Sequence, residues 1–192
     1  MRLGIFGGTF DPPHVGHLIV ADDAAAALRL DRVVFVPAGR HPLKGARVEA
    51  PESIRLQMIE AATAGNELFG VDDRELRRQG ASFTVDTLTE IAAENPGAEL
   101  FLLVGSDILA ELDQWRRVDE INRLADVTII SRAGVDATAA SSGDYRRVEV
   151  THVAISSSDV RDRIRTGRPY RYLVPGPVYK IIEENSLYRR RD

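Results

Sequence analysis

The sequence predicts an α/β protein built on a doubly wound, mainly parallel sheet with helices on both faces, and three observations predict it. Short β-branched runs alternate with stretches of helical periodicity along the whole chain. A double-glycine turn, Gly7-Gly8, joins an apolar first strand to an alanine-rich helical stretch. Polar clusters fall just after the candidate strands, at the strand ends where open α/β sheets hold ligands.

The elements follow in order. Leu3-Gly4-Ile5-Phe6 marks a first strand over 2–6, and the alanine-rich stretch after His17 marks the first helix. A second strand is expected over 32–37. Ile54, Met58, Ile59 and Ala62 recur at helical spacing before a third strand over 68–72. Val85, Leu88, Ile91 and Ala92 then predict a helix ahead of a strand over 99–104, and Val118, Ile121, Leu124 and Ala125 another ahead of a strand over 127–131. A sixth strand covers 147–151. Ser156, three residues before Asp159, forms a capping pattern for a helix near 157–166, which Gly167 and Pro169 end. A last helix follows Pro175. Segments 38–50, with Gly39, Pro42 and Gly45, and 133–146, rich in Ala, Ser and Gly, read as flexible loops.

At 192 residues with 44% apolar content, the chain suits one domain, taken as 1–192. The absence of cysteine excludes disulfides, thiolate zinc sites and cysteine nucleophiles. No basic, then apolar, leader opens the sequence and no window nears about 18 consecutive apolar residues, so a cytoplasmic protein without a membrane partner is expected. A net charge of −4 argues against a nucleic-acid binder, and Arg189-Arg190-Arg191 reads as a solvated tail. The sequence leaves a homo-oligomer open.

Chemistry concentrates in the loop Gly7-Gly8-Thr9-Phe10-Asp11-Pro12-Pro13-His14-Val15-Gly16-His17. Free N–H groups and the helix dipole make such a turn an anion site, yet the loop has neither the lysine of G-x-x-x-x-G-K-[ST] nor the spacing G-x-G-x-x-G. His14 and His17, three residues apart at the helix start, put two imidazoles on one face toward the same anion. A triphosphate there would raise both pKa values and make the rings donors to transition-state charge. Ser156-Ser157-Ser158 with Arg161 offers hydroxyls, free N–H groups and a planar fork at a second helix start. Gly105-Ser106-Asp107 places a carboxylate after a strand, suited to ribose hydroxyls or to a simple helix cap. Lys44 and Arg132 are single loop charges on the same rim, and Trp115 stands between polar neighbours that suit full burial poorly.

The first loop resembles the HxGH motif of the nucleotidylyltransferase superfamily, whose members join a nucleoside triphosphate to a phosphate monoester and release pyrophosphate. Its double glycine and T-F-D-P are similar to the nicotinate mononucleotide adenylyltransferase family. Ile155-Ser156-Ser157-Ser158-Asp159-Val160-Arg161 resembles that superfamily's I-S-S-T-x-x-R element, with serine for threonine at Ser158. Gly105 to Trp115 resembles G-x-D-x-L-x-x-L-x-x-W, Phe83 to Leu88 resembles [S/T]-[Y/F]-T-x-D-T-L, and Tyr172-Leu173-Val174-Pro175 resembles the family's Y-L-V-P.

This resemblance spans nearly the whole chain and implies a Rossmann-like fold. It implies catalysis by His14 and His17, and ATP binding by Gly7, Gly8, Thr9, Phe10, both histidines, Gly105, Asp107, Ser156, Ser157, Ser158 and Arg161. The mononucleotide would meet Lys44, Phe83, Thr84, Trp115 and Arg132, with Trp115 stacked on the pyridine and amides near Thr84, itself a good N-cap, facing the carboxylate. The Lys44 region departs from the usual P-P-H-K or P-W-x-K, because Pro42-Leu43 precedes the lysine. Magnesium would ride on the ATP phosphates, with no dedicated protein metal site. The expected reaction is adenylyl transfer from ATP to nicotinate mononucleotide; the rivals are nicotinamide mononucleotide or phosphopantetheine as acceptor, or a noncatalytic nucleotide-binding module.

Overall fold

A computed structural model describes the chain except residues 40–47, 107, 109–111, 113, 133–144 and 191–192, and the side chain of residue 132. Six strands form one fully parallel sheet: β1 (Arg2–Gly8), β2 (Arg32–Pro37), β3 (Phe69–Val71), β4 (Glu99–Gly105), β5 (Asp126–Arg132) and β6 (Arg146–Val150). Their order is β3-β2-β1-β4-β5-β6, so the chain winds outward in both directions from the β1/β4 pair. Ile5 pairs with Val34 on one side and Leu102 on the other.

Both sheet faces are covered, which is why β4 reads as the unbroken apolar run Leu100–Val104. Its side chains still alternate. Leu100, Leu102 and Val104 join Leu3, Ile5 and Ile129 on one face, beneath Val85, Leu88 and Ile91 of α4 (Thr84–Glu94) and Ile121 of α5 (Val118–Leu124). Phe101 and Leu103 join Val33 and Phe35 on the other, against Ala21, Ala24, Ala25 and Leu28 of α1 (Val15–Leu28). A third cluster gathers Met58 of α2 (Glu52–Thr63), Val160 of α6 (Ser157–Arg165) and Val178, Ile181 and Ile182 of α7 (Gly176–Glu184).

Every expected strand forms, with ends moved by at most two residues. The sequence reading missed α3 (Arg74–Arg77), a single turn too short to carry helical periodicity. Thr84 is not the N-cap expected of it. Phe83 holds that position in extended backbone, with no side-chain cap, and Thr84 begins the helix. Ser156 does cap α6, its Oγ accepting from Asp159 N–H at 3.0 Å. The expected loops 38–50 and 133–146 fall mostly outside the described residues. Among the described residues no helix is long and apolar enough to cross a membrane.

Candidate active site

The first loop leaves β1 at the topological switch beside β4 and enters α1. Gly8 fits there because a Cβ would stand 2.8 Å from the Phe10 ring, which folds back beneath it. Phe10, at φ 50°, is 1% exposed and packs edge-on to Phe6 and His17. Asp11 is 2% exposed, and its carboxylate accepts from Glu49 N–H (2.8 Å), Ala50 N–H (3.1 Å) and the Tyr188 hydroxyl (2.7 Å). Burial and that carboxylate push the Tyr188 phenol pKa up, so it stays a donor. The loop is therefore clamped by segments far away in the chain.

His14 and His17 stack with ring centroids 3.7 Å apart. Gly16 leaves room for this, since a Cβ there would lie 3.0 Å from His14 Nδ1. His14 N–H donates to His17 Nδ1 at 3.1 Å, so that nitrogen is the acceptor and the neutral ring carries its proton on Nε2. Burial lowers the His14 pKa to about 4; burial, then the charge of His14, takes His17 well below its ordinary value. The protein thus holds both rings neutral at pH 7. His14 Nδ1 is buried with no hydrogen-bond partner among the described residues.

The start of α6 is tied to the same loop. Ser157 Oγ donates to the Pro12 carbonyl at 2.8 Å, and Arg161 Nη1 donates to the Asp11 carbonyl at 2.7 Å. Arg161 is not idle: its Nε also bonds Glu49 Oε1 at 3.0 Å and its Nη2 the Ser158 hydroxyl at 3.3 Å.

Beside the loop lies a cavity of about 560 Å³, whose wall includes Gly7, Gly8, Thr9, Thr84, Gly105 and Trp115. Trp115 is half-buried, packed on the sheet's apolar cluster with part of its ring on the cavity. Phe83 stands off that wall and carries the Arg116 guanidinium 4.5 Å above its ring. Neither histidine lines the cavity; they flank it through the loop. Asp107 and Lys44 lie outside the described residues, and Arg132 ends β5 with its side chain outside them.

Sequence reading missed the charged groups of the wall, Glu52, Arg55 and Glu75. Arg55 is 1% exposed and donates from Nη1 to the Thr9 carbonyl at 2.8 Å. An arginine in step with Met58, Ile59 and Ala62 on the apolar face of α2 was the available signal. Glu75 accepts from Thr87 Oγ1 at 2.8 Å and Gly39 N–H at 3.4 Å, and burial raises its pKa. Nothing local in the sequence marks it.

A glycine loop and two helix starts converging at the switch of a parallel sheet define a Rossmann-like nucleotide-binding protein. The chain belongs to the cytidylyltransferase-like family, whose model matches residues 5–163, and within it to the nicotinate-nucleotide adenylyltransferases. It is 42% identical over 187 residues to a probable nicotinate-nucleotide adenylyltransferase of Shouchella clausii, covering 97% of this chain and 96% of that one. A protein of the same name from Leifsonia xyli is 43% identical over 190 residues, covering 98% and 94%. A Plasmodium falciparum nicotinic acid mononucleotide adenylyltransferase solved with NaAD shares the fold at TM-score 0.79 and 18% identity, over 97% of each chain.

Proposed function

We propose that this protein transfers the adenylyl group of ATP to nicotinate mononucleotide, giving nicotinate adenine dinucleotide and pyrophosphate in NAD biosynthesis. The observation that carries the reading is the stacked His14–His17 pair at the start of α1, laced to the Ser157 and Arg161 end of α6 and set beside a cavity walled by Trp115 and Thr84. Relatives covering nearly the whole chain support the substrate pair.

The attacking phosphate monoester has a second pKa of about 6 and is already an ionised nucleophile near pH 7, so no general base is needed. It attacks the α-phosphorus of ATP, the bond to the bridging oxygen breaks, and pyrophosphate leaves with the electron pair. His17 Nε2–H donates to charge gathering on the α-phosphate. A polyanion beside His14 opposes the burial that keeps the rings neutral. Ser157, Ser158 and Arg161 hold the departing phosphates, while Trp115 stacks on the pyridine.

Asp11 is committed to three donors, and no group of three or more His, Asp or Glu gathers as a metal cage among the described residues. We assign magnesium to the phosphates of ATP, where it would neutralise charge on the triphosphate. The test supplies ATP and magnesium with nicotinate mononucleotide, nicotinamide mononucleotide or phosphopantetheine in parallel and measures pyrophosphate. Release with the nicotinate acceptor is expected. No release with any acceptor would overturn the enzyme reading, and preference for another would overturn the substrate.

A further inference from the structure

Glu49 and Arg165 belong to none of the motifs above and have no part in the reaction as written. The Glu49 carboxylate sits between two guanidiniums of α6: its Oε1 accepts from Arg161 Nε at 3.0 Å and from Arg165 Nη2. The three side chains are 27%, 17% and 32% exposed, a partly screened setting in which such pairing has consequence. Burial acts to raise the Glu49 pKa, but the bonds and charges of Arg165 and Arg161 outweigh it and hold the carboxyl below its ordinary value.

The position of that one oxygen matters. It lies within bonding distance of two guanidiniums one helical turn apart, one of which, Arg161, also donates to the Ser158 hydroxyl. An oxygen of a terminal phosphate in the same place would accept both bonds and bring more negative charge than a carboxylate. The Glu49 main chain is pinned, since its N–H donates to Asp11 Oδ2 at 2.8 Å, so the side chain can swing away without moving the backbone.

We propose that Glu49 is a built-in stand-in for the terminal phosphate of ATP, neutralising Arg161 and Arg165 until the triphosphate displaces it, and that Arg165 is a second cation of the polyphosphate subsite. This rests on the reading of Arg161 as a phosphate residue. An internal competitor lowers apparent affinity by the fraction of sites it occupies, and it disfavours ligands too weakly charged to expel it.

The test titrates the full chain with inorganic tripolyphosphate at fixed ionic strength. Glu49→Gln keeps an acceptor without the charge and should bind about threefold to tenfold tighter than the parent, while Arg165→Ala should bind about threefold to tenfold weaker with unchanged affinity for nicotinate mononucleotide. Equal or weaker binding by Glu49→Gln overturns the proposal. Should that variant fail to fold, Arg165→Ala binding as well as the parent overturns it alone. A parent that binds nicotinate mononucleotide but not tripolyphosphate overturns this proposal and the Arg161 assignment together; tripolyphosphate binding indifferent to both substitutions overturns only this one.

Discussion

Two neutral imidazoles at a helix N-terminus suit the positive end of the dipole, which would repel imidazolium, and they leave His17 Nε2–H as a donor. His17→Ala should keep the fold and lower kcat by roughly 10²–10³-fold, the usual loss of one transition-state donor; turnover within a few-fold of the parent would reduce the loop to a binding role. The same burial makes a pH prediction. His14 has a folded pKa of about 4 against an ordinary 6.5, so between those values the unfolded chain binds protons that the folded one refuses. Stability should therefore fall as pH drops through that window and level off below it. Urea unfolding of the parent and His14→Gln across the range should show a shallower decline in the variant. Trp115, half-buried against the cavity, should behave differently from the histidines: Trp115→Ala should weaken nicotinate mononucleotide by about 1–3 kcal/mol while sparing ATP, as separate binding titrations would show.

Elements with strong periodicity were legible in the sequence, and their junctions less so. Val85, Leu88 and Ile91 located α4, yet the start fell one residue from the expected cap because the chain enters through Phe83, whose ring packs under Arg116 instead of leaving Thr84 to cap. That start still opens on the cavity, through Thr84. Its free N–H groups would satisfy both oxygens of a pyridine carboxylate but would meet the N–H₂ of an amide donor to donor. Stacking on Trp115 cannot supply that distinction, since an aromatic face tolerates ring substituents. Parallel kinetics with the two mononucleotides should give kcat/KM favouring the acid by at least about 10²-fold, and a ratio near one would show that the start of α4 does not read the carboxylate.

At the scale of the whole molecule, the site depends on contacts that no local pattern announces. The sheet order and the rim of polar clusters were readable because each follows from short segments in sequence order. The clamp on the loop before α1 was not. Tyr188 reaches Asp11 across 177 residues, and Glu49 and Ala50 reach it across 38 and 39. The third apolar cluster makes this possible by packing α7 and Tyr188 against α2 and α6, so the C-terminal helix helps to hold the loop before α1. Removing one donor leaves Asp11 with its two backbone partners, so Tyr188→Phe should cost about 1.5–3 kcal/mol, the range for one bond to a charged group. Asp11→Asn is a worse insult. An amide keeps only one acceptor oxygen where the carboxylate has two, so its N–H₂ must face the N–H of Glu49 or of Ala50 in a site 2% exposed, with the buried penalty of about 1–3 kcal/mol added to the lost charge-assisted bonds. Denaturant unfolding should therefore rank Asp11→Asn well below Tyr188→Phe, and the double variant should lose less than the sum because the two share a bond. Equal losses for the single variants would mean that the phenol, not the carboxylate, is the centre of the clamp.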